Sequence, residues 1–309
     1  MALLREPLLA AARSSRLRSV AEKSRVTRPV VNRFVAGATE PDALRVTDEL
    51  VAAGLSVTLD FLGEDTTSLA QAEHTVAAYR SVLAALAGHE YGPRAEVSVK
   101  LSAIGQSLPD GEHIALDGAR RICAAAQTAG TTVTLDMEDH TTTDSTLSIL
   151  RELRVDFPWV GAVLQAYLRR TEGDCRDLAT TDSRVRLCKG AYAEPDSVAF
   201  SGADVEDSYH RCLDVLLGGA GYPMVASHDP AMIAAARALA TRHGRSADSF
   251  EFQMLYGIRP EEQRAIAADG YQMRVYVPYG DEWYGYFMRR LAERPANLTF
   301  FLRALSSKK

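Results

Sequence analysis

The sequence predicts an α/β fold, a closed (β/α)8 barrel with a helical extension ahead of it, and three observations carry that prediction. From Gly54 onward a short β-branched or aliphatic run, a polar turn and a longer amphipathic run rich in Ala, Leu and Arg recur eight times in a chain of 309 residues, the repeat expected of consecutive parallel β/α units. The strand runs are near-continuously apolar, as in a sheet buried on both faces. No GxGxxG follows the first of them, which disfavours an open dinucleotide-binding sheet.

Taken in order, residues 1–50 read as a helical lead-in. Its first 33 residues hold eight Lys or Arg against Glu6 and Glu22, a net +6, so that −11 remains for the rest of a chain whose total is −5. An acid-poor start bearing Arg and Ser also resembles an organelle transit peptide. The unbroken Leu, Ala and Val period favours a packed helix, one whose charge suits an anionic membrane surface. Residues 51–309 read as the barrel. Its predicted strands are Ser56–Leu62, Glu96–Leu101, Thr132–Met137, Ala162–Tyr167, Val185–Lys189, Pro223–Ser227, Ser249–Leu255 and Gln272–Val277. Helical patterns between them include Leu69–Ala87, Gly111–Ala129, Val205–Leu217, Pro230–Arg242 and Pro260–Ala268, several opened by a proline or an acidic cap.

Composition bounds the function. With 47% apolar and 24% charged residues and a net charge of −5, the chain has the make-up of a soluble globular protein and lacks the basic excess of a nucleic-acid binder. No run reaches the apolar length of a membrane span. The four cysteines, Cys123, Cys175, Cys188 and Cys212, show no CxxC spacing, so a reduced cytosolic compartment is expected.

In such a barrel, chemistry collects where the strands end. The polar residues there are Asp60, Lys100, Asp136 with Glu138, Gln165, Lys189, His228, Gln253 and Tyr276. An inward Lys100 is costly unless it is paired or binds an anion. Near the C-terminus, Arg289 and Arg290 follow Tyr286 by three and four residues, which puts both guanidinium groups beside one phenol on a helix face. The arginine fork matches a carboxylate, and the bland alternative is a solvated face with Glu293 as partner. These cations would repel one another unless an anionic ligand or nearby carboxylates offset them. The stretches DMEDH (136–140) and SHD (227–229) contain metal-ligating residue types, but no HxH or HExxH accompanies them, and a metal is not expected. Small residues beside cations in KGAY (189–192) would admit a bulky phosphate-bearing cofactor, though the tetrapeptide alone is a weak signal. Tyr192, Tyr276, Trp283 and Tyr286 would wall a flat pocket, or serve as ordinary packing.

The segments SVKLS around Lys100, LDMED around Asp136, LQAY at Gln165, RLCKGAY from Arg186 to Tyr192, Ser227-His228, Glu251-Phe252-Gln253 and VYVPYG…YFMRRLAE together resemble the flavin-dependent proline dehydrogenase family. The resemblance runs from about residue 50 to the end, and the order and spacing of the segments match at nearly every strand. It implies a monofunctional member: a distorted barrel with FAD at the strand C-termini and a final helix over the mouth that supplies the arginine pair. It further implies that Lys100, Arg289 and Arg290 hold the carboxylate of L-proline while Tyr276, Tyr286, Ala191 and Leu255 pack its ring. Asp136 and Arg186 match the family's catalytic positions. Met137, Gln165, Arg186, Lys189, Gly190, Ala191, Ser227 and His228 match its flavin contacts. The implied reaction is hydride transfer from proline to FAD, giving Δ1-pyrroline-5-carboxylate, with a membrane quinone as electron acceptor reached by peripheral contact. Two readings from other classes stand beside it: a non-redox barrel lyase or hydrolase using Asp136, Glu138 and His228, and a flavin-free binding module.

Overall fold

The structure is a computed structural model that describes residues 31–63 and 66–286. Eight parallel strands, β1 (Ser56–Phe61), β2 (Ala95–Lys100), β3 (Val133–Asp136), β4 (Gly161–Gln165), β5 (Arg184–Cys188), β6 (Tyr222–Ala226), β7 (Glu251–Leu255) and β8 (Gln272–Tyr279), pair in sequence order and close into a barrel. The closing seam is well formed, with β1 matched to β8 from Ser56↔Arg274 to Phe61↔Tyr279. The β3–β4 seam is short, Thr134↔Gly161 and Leu135↔Ala162. A Cβ on Gly161 would lie 2.8 Å from Thr134 Oγ1, so this glycine is what lets the two backbones approach.

Eight helices are described: α1 (Glu40–Ala52), α2 (Leu69–Ala87), α3 (Gly111–Thr128), α4 (Thr143–Asp156), α5 (Thr171–Leu178), α6 (Ala203–Gly218), α7 (Pro230–Arg242) and α8 (Pro260–Ala268). A capping box of Thr39 and Asp42, with Pro41 in the first turn, starts α1, and such caps are worth about 1 kcal/mol. α1 packs on β1 and β8 and so covers the wall that follows the last strand. Hydrogen bonds from Ala36 N–H to Pro278 O and from Gly280 N–H to Gly37 O tie the chain ahead of α1 to the end of β8. Part of the lead-in thus shares the barrel's core. Of the final helix, residues 283–286 are described; the arginine pair Arg289 and Arg290 lies outside the described residues.

The strands are buried on both faces, but apolar and polar residues alternate along them, unlike the near-continuous apolar character expected from the sequence. Val57, Leu59, Val97, Val99, Val133, Leu135, Val185, Leu187, Phe252 and Val275 belong to the apolar core that includes the helices. Residues of the other parity face one another across the barrel interior: Arg184 and Arg186 of β5 bond to Glu96 and Asp136 of β2 and β3, and Arg186 bonds to Gln253 of β7. The barrel therefore has an apolar jacket and a polar heart. That interior contains four carboxylates (Asp60, Glu96, Asp136, Glu251) and four cations (Lys100, Arg184, Arg186, Arg274), connected by ion pairs. Charges removed from water in this way persist only when paired and hydrogen-bonded.

Candidate active site

A cavity of about 740 Å³ opens at the C-terminal ends of the strands, within the usual range for small-molecule and cofactor sites. Its walls include Lys100, Asp136, Met137, Gln165, Arg186, Lys189, Gly190, Ala191, Ser227, His228, Leu255 and Tyr276. The structure thus brings together twelve of the residues predicted from sequence. Tyr192 also lines the cavity; Tyr286 is buried and does not line it.

Asp136 is the hub. Its Oδ1 accepts from Ser98 Oγ and Arg186 Nη1, both at 2.7 Å, and its Oδ2 accepts from Tyr276 Oη at 2.6 Å. Lys100 Nζ lies 3.7 Å from the same carboxylate. Burial alone would push the Asp136 carboxyl up, but Arg186, Lys100 and the two hydroxyl donors outweigh it and hold it below the usual carboxylate range. The group is an anion at neutral pH. For the Tyr276 phenol the same surroundings work the other way: burial first, then the charges of Asp136 and Asp60, raise it well above its usual value. Tyr276 therefore remains a neutral donor to Asp136.

Lys100 ends β2 with its ammonium against Asp60, at 2.7 and 2.8 Å from the two carboxylate oxygens, and 3.4 Å from Tyr276 Oη. Of the cations anticipated at the mouth, Lys100 is met by Asp60 and Asp136, while Arg289 and Arg290 lie outside the described residues. Arg186 is held on several sides: Nε donates to Gln253 Oε1 at 2.5 Å, Nη1 donates to Asp136 and, at 3.0 Å, to Ser98 Oγ. Its guanidinium carbon lies 5.3 Å from the centre of the Tyr276 ring. Its Nη2 is buried and makes no hydrogen bond, with Glu96 Oε1 3.7 Å away.

The loop after β5 completes the rim. Gly190 has φ +111°, and a Cβ there would sit 2.2 Å from the Tyr167 ring, so only glycine allows the turn. Lys189 Nζ bridges Glu206 and Asp229, each at 3.1 Å. Asp229 caps α7 through the Ala231 N–H at 3.0 Å, and its own N–H donates to Ser227 Oγ at 3.1 Å. Gln165 donates to Glu138 O at 2.7 Å. His228 Nε2 accepts from the Leu255 N–H at 2.9 Å, a bond that assigns its ring proton to Nδ1 when neutral.

The residues of the lyase or hydrolase reading do not form one constellation. Asp136 serves Arg186 and Tyr276, Glu138 accepts from Ser102 N–H and Oγ at 3.0 and 2.5 Å, and His228 serves β7. His140 bonds instead to Glu194. Among the described residues no group of three or more His, Cys, Asp and Glu is arranged to hold a metal ion.

A second cavity of about 760 Å³ opens at the opposite, N-terminal end of the barrel, beside Arg94, Arg184, Arg245 and Arg274. It is the larger by a little, yet its arginines are spent on structure. Arg245 gives its donors to five backbone carbonyls around the end of α6, and Arg274 bonds to Glu251 and to carbonyls of residues 57, 93 and 94. In α/β barrels the reacting groups sit at the C-terminal face, where Asp136, Arg186 and Lys100 are found.

Ser98 and Glu96 had no role assigned from the sequence, Asp60 figured only as a polar strand end, and Gln253 figured as a strand end and within the Glu251-Phe252-Gln253 segment of the resemblance. A signal was present in their spacing. Glu96, Ser98 and Lys100 share one parity on β2, as do Glu251 and Gln253 on β7, Arg184 and Arg186 on β5, and Arg274 and Tyr276 on β8, and residues two apart face the same side of a strand.

Comparison with known proteins agrees with the resemblance. Residues 43–303 match the family model described as "Proline dehydrogenase". Proline dehydrogenase 1 of Bacillus subtilis (strain 168) is 42% identical over 283 residues, 91% of this chain and 92% of that protein. Proline dehydrogenase of Deinococcus radiodurans is 42% identical over 280 residues, 89% and 90% of the two chains. Among solved structures, proline utilization A (PutA) from Bdellovibrio bacteriovorus, inactivated by N-propargylglycine, superposes with a TM-score of 0.80 at 27% identity, over 92% of this chain. The chain spans about a third, 34%, of that longer protein. Matched along nearly its whole barrel by the family model, and along nine-tenths of the length of relatives at 42% identity, this chain belongs to the proline dehydrogenase family.

Proposed function

We propose that the protein oxidises L-proline to Δ1-pyrroline-5-carboxylate with FAD bound in the mouth cavity, the first step of proline catabolism. The observation that carries this reading is the Asp136, Arg186, Lys100 and Tyr276 cluster, opening on a cavity of cofactor size. The residues present fit a flavin. Met137, Val163, Met254 and Leu255 offer apolar wall to a flat ring system, Lys189 and Arg259 add positive charge at the rim, and Arg186 retains a buried Nη2 with no hydrogen bond. Met137, Gln165, Arg186, Lys189, Gly190, Ala191, Ser227 and His228 would hold the cofactor.

Bound FAD would supply the hydride acceptor for the ring carbon beside nitrogen, with the nitrogen's proton released to solvent as the imine forms. The protein's part is positioning and charge. Lys100, with Arg289 and Arg290, would take the proline carboxylate and fix the reacting carbon, while Tyr276, Tyr286, Ala191 and Leu255 would pack the ring. The Lys100 ammonium is paired with Asp60. Arg186 would meet negative charge developing on a bound flavin, and Asp136 orients Arg186 and Tyr276, its carboxyl being held below the usual range. A membrane quinone is the acceptor this reading assigns, to a protein of the cytoplasm in peripheral contact with the membrane. No helix among the described residues is long and apolar enough to cross one.

The test is an absorbance spectrum of the purified protein before and after anaerobic addition of L-proline. A flavin band that bleaches is expected. Protein that neither carries FAD nor is reconstituted by it overturns the proposal.

A further inference from the structure

The interior charges cancel in number, four against four, yet they are not evenly shared. Glu96 has Arg184 at 2.8 Å with Arg186 and Arg274 at 3.7 and 3.9 Å, while Glu251 has Arg274 at 2.8 Å and Asp60 has Lys100 at 2.7 Å. Arg186 has one close carboxylate, Asp136 at 2.7 Å. Its Nε is met by the neutral amide of Gln253 at 2.5 Å. That amide is itself oriented: its Nε2 donates to Glu251 Oε1 at 2.5 Å, which leaves only its oxygen to face the guanidinium. Glu251 in turn is fixed by Arg274 Nε at 2.8 Å and the Tyr222 hydroxyl at 3.3 Å. Glu251, Gln253 and Arg186 are all buried, at 2%, 4% and 5% exposure, so water does not substitute for any of these contacts.

We propose that Gln253 is a positioning residue for the redox reaction. It aims the Arg186 guanidinium at the mouth and, being neutral, leaves that guanidinium's positive charge undercompensated for the electron pair it is to stabilise. The inference rests on the reading of Arg186 as a flavin neighbour. A glutamate of the same length at 253 would accept the same bond and add a second close carboxylate to Arg186. It would also meet Glu251 carboxylate to carboxylate, an arrangement in which one of the two must hold a proton. A methionine would keep the volume and remove the acceptor from Arg186 Nε, leaving a buried donor unsatisfied.

The test compares wild type, Gln253→Glu and Gln253→Met as FAD-loaded protein. The flavin midpoint potential is measured by dye-coupled reduction without proline, and the limiting rate of anaerobic reduction and the KM are measured with L-proline. Gln253→Glu is expected to lower the potential, since a guanidinium whose charge is more fully compensated favours the reduced cofactor less. Gln253→Met is expected to slow the limiting rate roughly 10-fold or more while KM moves less than about threefold, the signature of an interaction that matters in the transition state and not in binding. If Gln253→Glu does not fold, a crystal structure of Gln253→Met takes its place. A guanidinium displaced from Asp136 supports the inference, and one left at its wild-type distance overturns it. Variants with wild-type potential and wild-type limiting rate overturn the role of Gln253. A wild-type flavoprotein that L-proline does not reduce sinks the assignment of substrate instead, and the potentials still judge Gln253.

Discussion

At the scale of single residues, the cations of the proposed site fall into two groups. Arg186 is bound from below by Gln253, Ser98 and Asp136, whereas the arginines at 289 and 290 belong to the aromatic segment after β8. This predicts a split in kinetics. Arg290→Met should raise the KM for L-proline roughly 10- to 100-fold, the cost of one charge-assisted bond to a carboxylate, with flavin still bound. Arg186→Met should instead depress the limiting rate of flavin reduction more than it raises KM, because its partner charge appears only as the hydride moves. Stopped-flow reduction across a proline titration separates the two, and an unaltered limiting rate in Arg186→Met removes that residue from the chemistry. The types of these residues were readable in the sequence; their partners were not. Lys100 looked like a cation in want of an anion, and the anion that meets it is Asp60 of the neighbouring strand, a pairing set by register across β1 and β2 that no local pattern encodes. Glu96 was invisible as a site because a single Glu at the start of an apolar strand has the look of a solvated edge.

At the scale of elements, strand and helix types were legible because the alternation of short aliphatic runs with long Ala- and Leu-rich ones repeats along the chain. The predicted strand ends lie within two residues of those observed, and three coincide with them, the span over which hydrogen-bond assignments ordinarily vary. What alternation alone did not convey is that the inner face is polar. The strands looked continuously apolar because one parity is chiefly Val and Leu with Phe and Met, and the other mixes Thr, Ser and Ala with the charges. The loop after β5 is the element on which the site most depends, and it turns on Gly190 at φ +111°. Gly190→Ala should strain that turn by about 1–3 kcal/mol and drive a methyl into Tyr167, whose ring would have to leave the position in which its hydroxyl donates to Glu194 at 3.1 Å. The expected outcome is weaker FAD retention on gel filtration with a modest fall in melting temperature. Full retention would mean that the loop re-forms without the glycine.

At the scale of the molecule, the polar heart makes stability depend on pH. Burial alone would raise the Glu96 carboxyl, but Arg184, Arg274 and Arg186 hold it well below the usual carboxylate range, and Asp136 is lowered for like reasons. A carboxylate whose folded pKa is depressed contributes stability that is fully present above its unfolded value. That contribution is lost as pH falls toward the folded one. Urea midpoints should therefore hold steady from neutral pH down to about pH 5 and decline below about pH 4.5, where unfolded carboxylates begin to bind protons. Glu96→Gln should cost about 3–5 kcal/mol at neutral pH, by leaving buried arginines short of a partner, and should flatten the acid decline. A variant with the wild-type midpoint at pH 7 would show that the interior network is energetically idle.

The charge of the molecule is also divided along the chain, +6 over residues 1–33 and −11 over the remainder. The proposed membrane quinone would require the protein to meet the bilayer, and the basic segment is the part of the chain an anionic leaflet would attract, at about 1 kcal/mol per well-placed Lys or Arg. The acidic remainder would be repelled by the same surface, so the expected contact is oriented by charge. Cosedimentation with vesicles containing anionic lipid should then show binding at low salt that weakens at high salt, as the Debye length shortens. It should be absent with purely zwitterionic vesicles and lost when residues 1–30 are deleted, a cut that spares the hydrogen bonds tying residues 36 and 37 to the end of β8. Binding that survives the deletion would move the contact to the barrel itself. No binding at either salt concentration would leave only an acceptor that comes to the protein in solution.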